Sequence, residues 1–205
     1  MSGQARIPVW NLPAPIQWGG IDLPLLGLSR DWHGLPITQA AAFSLATDTR
    51  HFWFLAHHPA SACHHPTALP GTFTPELWQY DVAECFIANP DGSYLELNLA
   101  PNSAWWACRF SSPRTPESAL LQPIPEVKTY SDTASDGAWL AAMAVPLDAF
   151  GTTGPDWSKL HINVCFILGG NQRIHLSAAN LPGATPDFHQ PSHFPPICHI
   201  DPPPA

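Results

Sequence analysis

Glu84, Glu96, Asn98, Trp105, Arg109 and Asn163 are the residues whose types and spacing best suit chemistry on a small polar molecule. Carboxylate, amide and guanidinium groups exchange hydrogen bonds with hydroxyls, and an indole plane covers the apolar face of a sugar ring. Arg114, just past the strand that carries Arg109, can reach back over the same surface. Together these side chains read as a ligand-binding set for a saccharide or a sugar-containing metabolite. Two carboxylates on neighbouring strands also permit acid and base roles of the glycosidase kind. That alternative needs a deep cleft, and the chain has no nucleophile elbow, Gly-rich phosphate loop, Cys-His signature or His-Glu-x-x-His helix, so no catalytic residue is assigned. A third reading makes Glu96 and Arg109 a cross-strand ion pair in a structural or protein-interaction sandwich that binds no ligand.

His57-His58 and Cys63-His64-His65 concentrate imidazoles and one thiol at the start of a long loop, 57–77. Such groups suit zinc or copper. Their spacing fits no closed zinc site, and a Pro-rich loop does not readily hold four ligands in a tetrahedron, so the loop reads as solvated and free of metal. Met143 with a histidine would supply a haem axial pair, yet Met143 stands in an apolar run where packing accounts for it. No cofactor is expected.

The elements that must position the set are short strands. Val82 to Ala88 and Tyr94 to Ala100 flank Asn89-Pro90-Asp91-Gly92. Pro presets the first turn residue and Gly accepts the left-handed conformation, a type I turn with a Gly bulge. Glu84 then lies opposite Asn98, Cys85 opposite Leu97 and Phe86 opposite Glu96. Ala83, Cys85 and Ile87 share an apolar face with Leu95, Leu97 and Leu99, while Glu84, Glu96 and Asn98 share the other. For the next strand, Trp105 to Phe110, a four-residue loop from Pro101 to Ala104 sets Asn98 opposite Ala107 and Glu96 opposite Arg109. Trp106, Cys108 and Phe110 then join the leucines, and Trp105 and Arg109 join the polar face. Asn163 comes from a strand at Leu160 to Leu168.

Further strands are expected at Ala42 to Ala46, Arg50 to Ala56, Trp139 to Val145 and Arg173 to Ala178, with one helical turn at Pro146 to Phe150. The predicted fold is all-β, a two-sheet antiparallel β-sandwich of jelly-roll type. Residues 1–38 show no period of 2 or 3.6 and read as an irregular Pro- and Trp-rich arm anchored by Trp10, Trp18 and Trp32; residues 39–205 form the sandwich. Trp53, Trp78, Trp106, Trp139 and Trp157 read as packing. Only 12% of the 205 residues are charged and the formal net charge is −8, which lacks the basic footprint of a nucleic-acid binder. No export signal or spanning run is visible, and five cysteines without ribbon spacing read as reduced core thiols, so a cytoplasmic protein with no membrane partner is expected.

Leu77-Trp78-Gln79-Tyr80-Asp81-Val82-Ala83-Glu84, then Tyr94-Leu95-Glu96-Leu97-Asn98 and Pro101, resembles the DOMON-like, family 9 carbohydrate-binding-module group. Trp105 to Phe110, Pro113-Arg114, Trp139 to Pro146 and Pro186-Asp187-Phe188-His189 before Phe194 resemble later blocks in the same order, covering roughly residues 40 to 200. The resemblance implies a β-sandwich whose relatives bind sugars through aromatic platforms and polar side chains, some with structural calcium, while other DOMON members bind haem. It implies a non-catalytic saccharide-binding role. For the His57 to His65 loop, the sequence predicts no tightly held metal: extensive dialysis followed by metal analysis returns no stoichiometric zinc, and zinc retained at one per chain would overturn this.

Overall fold

The structure is a computed structural model and describes residues 6–151 and 155–201. Thirteen strands follow one another as β1 (Ile7–Asn11), β2 (Leu26–Arg30), β3 (Pro36–Thr47), β4 (His51–His58), β5 (Val82–Ala88), β6 (Tyr94–Leu99), β7 (Trp105–Ser112), β8 (Thr115–Pro116), β9 (Lys128–Thr133), β10 (Trp139–Pro146), β11 (His161–Leu168), β12 (Ile174–Ser177) and β13 (Ile197–Ile200). Four single turns of 3₁₀ helix, at Leu77–Gln79, Leu147–Phe150, Trp157–Lys159 and Pro191–His193, are the helical content of the described residues. None is long and apolar enough to cross a membrane.

The strands form two sheets, one ordered β13-β1-β3-β4-β10-β9 with β2 added on β3, the other β12-β11-β5-β6-β7-β8. Their facing sides supply the core. Phe43, Leu45, Phe52, Phe54, Ala141, Met143 and Val145 meet Ala83, Cys85, Ile87, Leu95, Leu97, Leu99, Ile162, Val164 and Phe166. Met143 is fully buried among them, as packing required. The expected sandwich is therefore present, with one departure from antiparallel pairing: β1 runs parallel to both β3 and β13.

That departure also corrects the reading of 1–38 as an irregular arm. β1 and β2 are strands of the first sheet, and β3 begins at Pro36. They escaped notice because both are only five residues long, and a parallel pairing with the C-terminal β13 leaves no hairpin signal. The segment between them packs Leu12, Ile16, Trp18, Ile21 and Leu23 on the outer side of the first sheet, over Ala46, Trp53, Leu55, Ala142 and Ala144. Trp18 stacks on Tyr130 with ring centres 5.4 Å apart. The tryptophans do serve as anchors, and Trp32 alone reaches the second sheet, its ring beside Phe188 and its Nε1–H donated to the Gly183 carbonyl.

Two consecutive hairpins in the second sheet share one construction. In Asn89-Pro90-Asp91-Gly92-Ser93 the Gly92 N–H bonds back to Asn89, the Asn89 N–H bonds to Ser93, Asp91 accepts the Ser93 N–H, and Gly92 has φ 89°. In Ala100-Pro101-Asn102-Ser103-Ala104 the same bonds recur, with Asn102 in place of Asp91 and Ser103, at φ 67°, in place of glycine. The second loop thus has three residues between a paired Ala100 and Ala104. Relative to a four-residue loop this slips β7 by one position, and a slip of one reverses every side chain.

Asp48, in the turn between β3 and β4, ties the N-terminal segment to the first sheet. Its carboxylate accepts the backbone N–H groups of Arg50, His51 and Ile16 and the indole N–H of Trp53 at 2.6 to 3.1 Å. Burial alone would raise its pKa, but the Trp53 donor and the three backbone donors hold it below the ordinary carboxylate range. Asp48→Asn is expected to cost about 1 to 3 kcal/mol in urea melts at neutral pH. A depressed pKa contributes stability above the unfolded-state value and loses it as pH falls through the folded value. The gap between parent and variant therefore closes on acidification below about pH 4; equal sensitivity to acid in both proteins would contradict the role assigned to Asp48.

Candidate functional site

The outer side of the second sheet is a grid fixed by its registers. One row runs Ser177, Cys165, Glu84, Asn98, Trp106, and the next runs Asn163, Phe86, Glu96, Cys108. Glu84 and Glu96 are thus diagonal neighbours on β5 and β6. The segment following β12 folds over part of this side, pressing Leu181, Phe188 and Phe194 onto Phe86, Tyr94 and Phe110. Its edge lies beside the two glutamates, with His189 next to Glu96. What remains open is a cleft of about 300 Å³ with Glu84 and Glu96 in its lining, together with Trp78, Arg173 and His175 and with Arg114, Asp187 and His189.

Both glutamates are nearly inaccessible, Glu84 at 4% and Glu96 at 5% exposure. Burial raises the pKa of Glu84 well above its ordinary value and the nearby Glu96 charge adds to this, while Arg114 opposes it. Glu96 is pushed up to about 7, again by burial, against the opposing effects of Asn98 and Arg114. Two adjacent desolvated carboxyls resist carrying two charges together. Glu96 Oε2 and Asn98 Oδ1 are buried without a protein hydrogen bond.

His189 sits in the lining between Tyr94 and Glu96. Tyr94 Oη accepts the Arg114 N–H at 3.1 Å and shares a second hydrogen bond with His189 Nδ1 at 2.6 Å, whose direction follows the imidazole tautomer. Burial, then Arg114, lowers the His189 pKa to about 4, which leaves a neutral ring. Nε2 faces Glu96 Oε2 at 3.9 Å. That gap is too long for a direct hydrogen bond. Arg114, whose backbone takes φ 58°, is held by Asp187 at 2.9 Å, and Arg173 donates to the Gln79 carbonyl.

Of the residues singled out from the sequence, Glu84, Glu96 and Arg114 line the cleft and Asn98 adjoins it. Trp105 and Arg109 do not. The three-residue loop sets Glu96 opposite Cys108 and Leu95 opposite Arg109, so Trp105 enters the core against Phe73 and Arg109 reaches the Ala149 carbonyl. Asn163 lies on the expected side but is fully buried and spent on structure: it bonds Ser177 Oγ and the Cys165 thiol, and accepts the Ala179 N–H. Trp78 corrects the packing assignment, being 49% exposed on the cleft wall. Its neighbour Leu77 is buried on the same 3₁₀ turn, and that in-out alternation was the available signal. His175, Asp187 and His189 were also missed as lining residues.

Arg109 instead borders a separate cleft of about 380 Å³ whose walls include Leu95, Ala107, Leu120, Leu121 and Ile124. It lacks a paired carboxyl floor. His57 and His58 belong to β4, and Cys63 donates its N–H to Asp81. Among the described residues no group of three or more His, Cys, Asp or Glu side chains stands close enough to hold a metal ion.

No protein-family model matches the sequence, and a search of curated proteins finds no match. Solved structures do. A protein from Bacteroides uniformis, named as a proposed carbohydrate-binding protein, superposes with a TM-score of 0.77 at 17% identity over 97% of this chain and 100% of that one. A family 9 carbohydrate-binding module from Caldicellulosiruptor kristjanssonii in complex with glucose gives 0.62 at 14% identity over 96% of each chain, and one with cellotriose gives 0.61 at 15% over 96% and 94%. At these identities the likeness is one of fold.

The raised carboxyl pKa values set a pH signature for the ligand-free protein. A raised folded-state value gives stability that is complete below the unfolded value near 4.5 and is lost as pH rises through the folded value, about 7 for Glu96. The melting temperature of the parent is expected to fall between about pH 5 and about pH 8. Glu96→Gln flattens that slope and is the more stable protein at the alkaline end. Parallel pH profiles for parent and variant would show that Glu96 is not a desolvated acid.

Proposed function

We propose that the chain is a non-catalytic carbohydrate-binding module that takes a sugar in the cleft over Glu84 and Glu96. The observation that carries this reading is a cleft of about 300 Å³, at the lower limit for ligand pockets, that combines buried unpartnered acceptors on its floor with a half-exposed indole on its wall. Glu96, Asn98 and the His189 imidazole offer hydrogen-bond partners for hydroxyls, and Trp78 offers a plane for the ring's apolar face. The fold it shares with sugar-complexed family 9 modules supports the same conclusion. Covering of this face by the N-terminal segment would have favoured a purely structural sandwich; that segment instead packs mainly on the other sheet.

The hydrolase alternative loses ground for a geometric reason. Glycosidase carboxyls flank the scissile bond. Glu84 and Glu96 are neighbours on one floor and approach a ligand from the same side.

Titration calorimetry against glucose and cello-oligosaccharides is the test. Trp78→Ala is expected to weaken binding at least tenfold, about 1.4 kcal/mol. Arg109→Ala, on the opposite side of the sheet, leaves affinity within twofold. Loss of binding in Arg109→Ala together with full binding in Trp78→Ala would move the site to the other cleft.

A further inference from the structure

The floor of the cleft leaves buried acceptors without donors, although Arg114 and Arg173 stand in its lining. Glu84 has burial and neighbouring charges acting on it but no hydrogen bond, and Glu96 Oε2 and Asn98 Oδ1 lack any protein partner. The cations within reach are already engaged. Arg114 is paired with Asp187, Arg173 is bonded to the Gln79 carbonyl, and His189 is a neutral ring. His175, the other imidazole of the wall, has its pKa lowered by burial and by Arg173, which disfavours its cationic form. Two carboxyls and an amide oxygen therefore face the cleft, and among the described residues no arginine or lysine forms a salt bridge with either carboxyl; Arg114, held by Asp187, acts on them only from a distance.

A neutral sugar hydroxyl donates one hydrogen bond and brings no charge. An ammonium brings three donors and a full positive charge, which lets both buried carboxyls ionise together. We propose that the cleft is selective for an amino sugar, a pyranose whose protonated amine is received between Glu84 and Glu96 while Trp78 covers the ring. This deepens, and rests on, the reading of the cleft as a sugar site. N-acetylation removes both the charge and two donors and is expected to remove the advantage.

The test is calorimetry on the full chain at one pH below neutrality, with glucosamine, glucose, N-acetylglucosamine and ethanolamine. Glucosamine is expected to bind at least tenfold more tightly than glucose, N-acetylglucosamine no better than glucose, and ethanolamine weakly. Glu96→Gln, checked by its melt to be folded, is expected to lower glucosamine affinity several times more than glucose affinity. Glucose binding as tightly as glucosamine, or Glu96→Gln weakening both alike, overturns the amine preference and leaves the sugar reading in place. Ethanolamine binding as tightly as glucosamine overturns the sugar reading itself, and absence of binding by all four overturns both.

Discussion

A strand sends successive side chains to opposite sides of its sheet, and the β5–β6 hairpin uses that parity to place two glutamates where the fold cannot fully solvate them. With Leu95, Leu97 and Leu99 committed to the core, Glu84, Glu96 and Asn98 must face outward. The aromatic side chains on the same side, Phe86, Tyr94 and Phe110, cannot be left to water and draw the segment after β12 across them. The glutamates become buried at the margin of that cover. The cleft thus lies where the cover over the aromatic surface ends, with the two glutamates buried beneath its edge.

Everything around the pair then controls its charge. Tyr94 is hydrogen-bonded to both His189 and the Arg114 backbone, and the neutral imidazole that results from burial stands 3.9 Å from Glu96. Asp187 neutralises Arg114, so the guanidinium lowers the carboxyl pKa values without cancelling their burial. Desolvated acids held this way cost stability in the empty protein. Such a cost is characteristic of a group kept for a ligand rather than for the fold.

The sequence disclosed what local chemistry dictated. Asn-Pro-Asp-Gly names its turn, and from that turn the facing of Glu84, Asn98, Phe86 and Glu96 followed correctly. Pro101-Asn102-Ser103 builds the same turn with serine in the left-handed position, where sequence reasoning looks for glycine, and the resulting slip misplaced Trp105 and Arg109. β1 and β13 were hidden because parallel strands from opposite ends of the chain share no turn. Trp78 and His189 were present in the blocks that suggested the fold, but their exposure depends on where the cover after β12 ends, which no local pattern records.

The cleft above Glu84 and Glu96, rather than the apolar one beside Arg109, is the proposed seat of the sugar. Heteronuclear NMR during a sugar titration addresses it directly, with glucosamine as the probe and glucose alongside. Shift changes are expected to concentrate at the Trp78 indole, Glu84, Glu96, Asn98 and His189, with Arg109, Leu120 and Leu121 silent. Changes centred on Arg109 and the two leucines, with Trp78 and Glu96 unmoved, would contradict it.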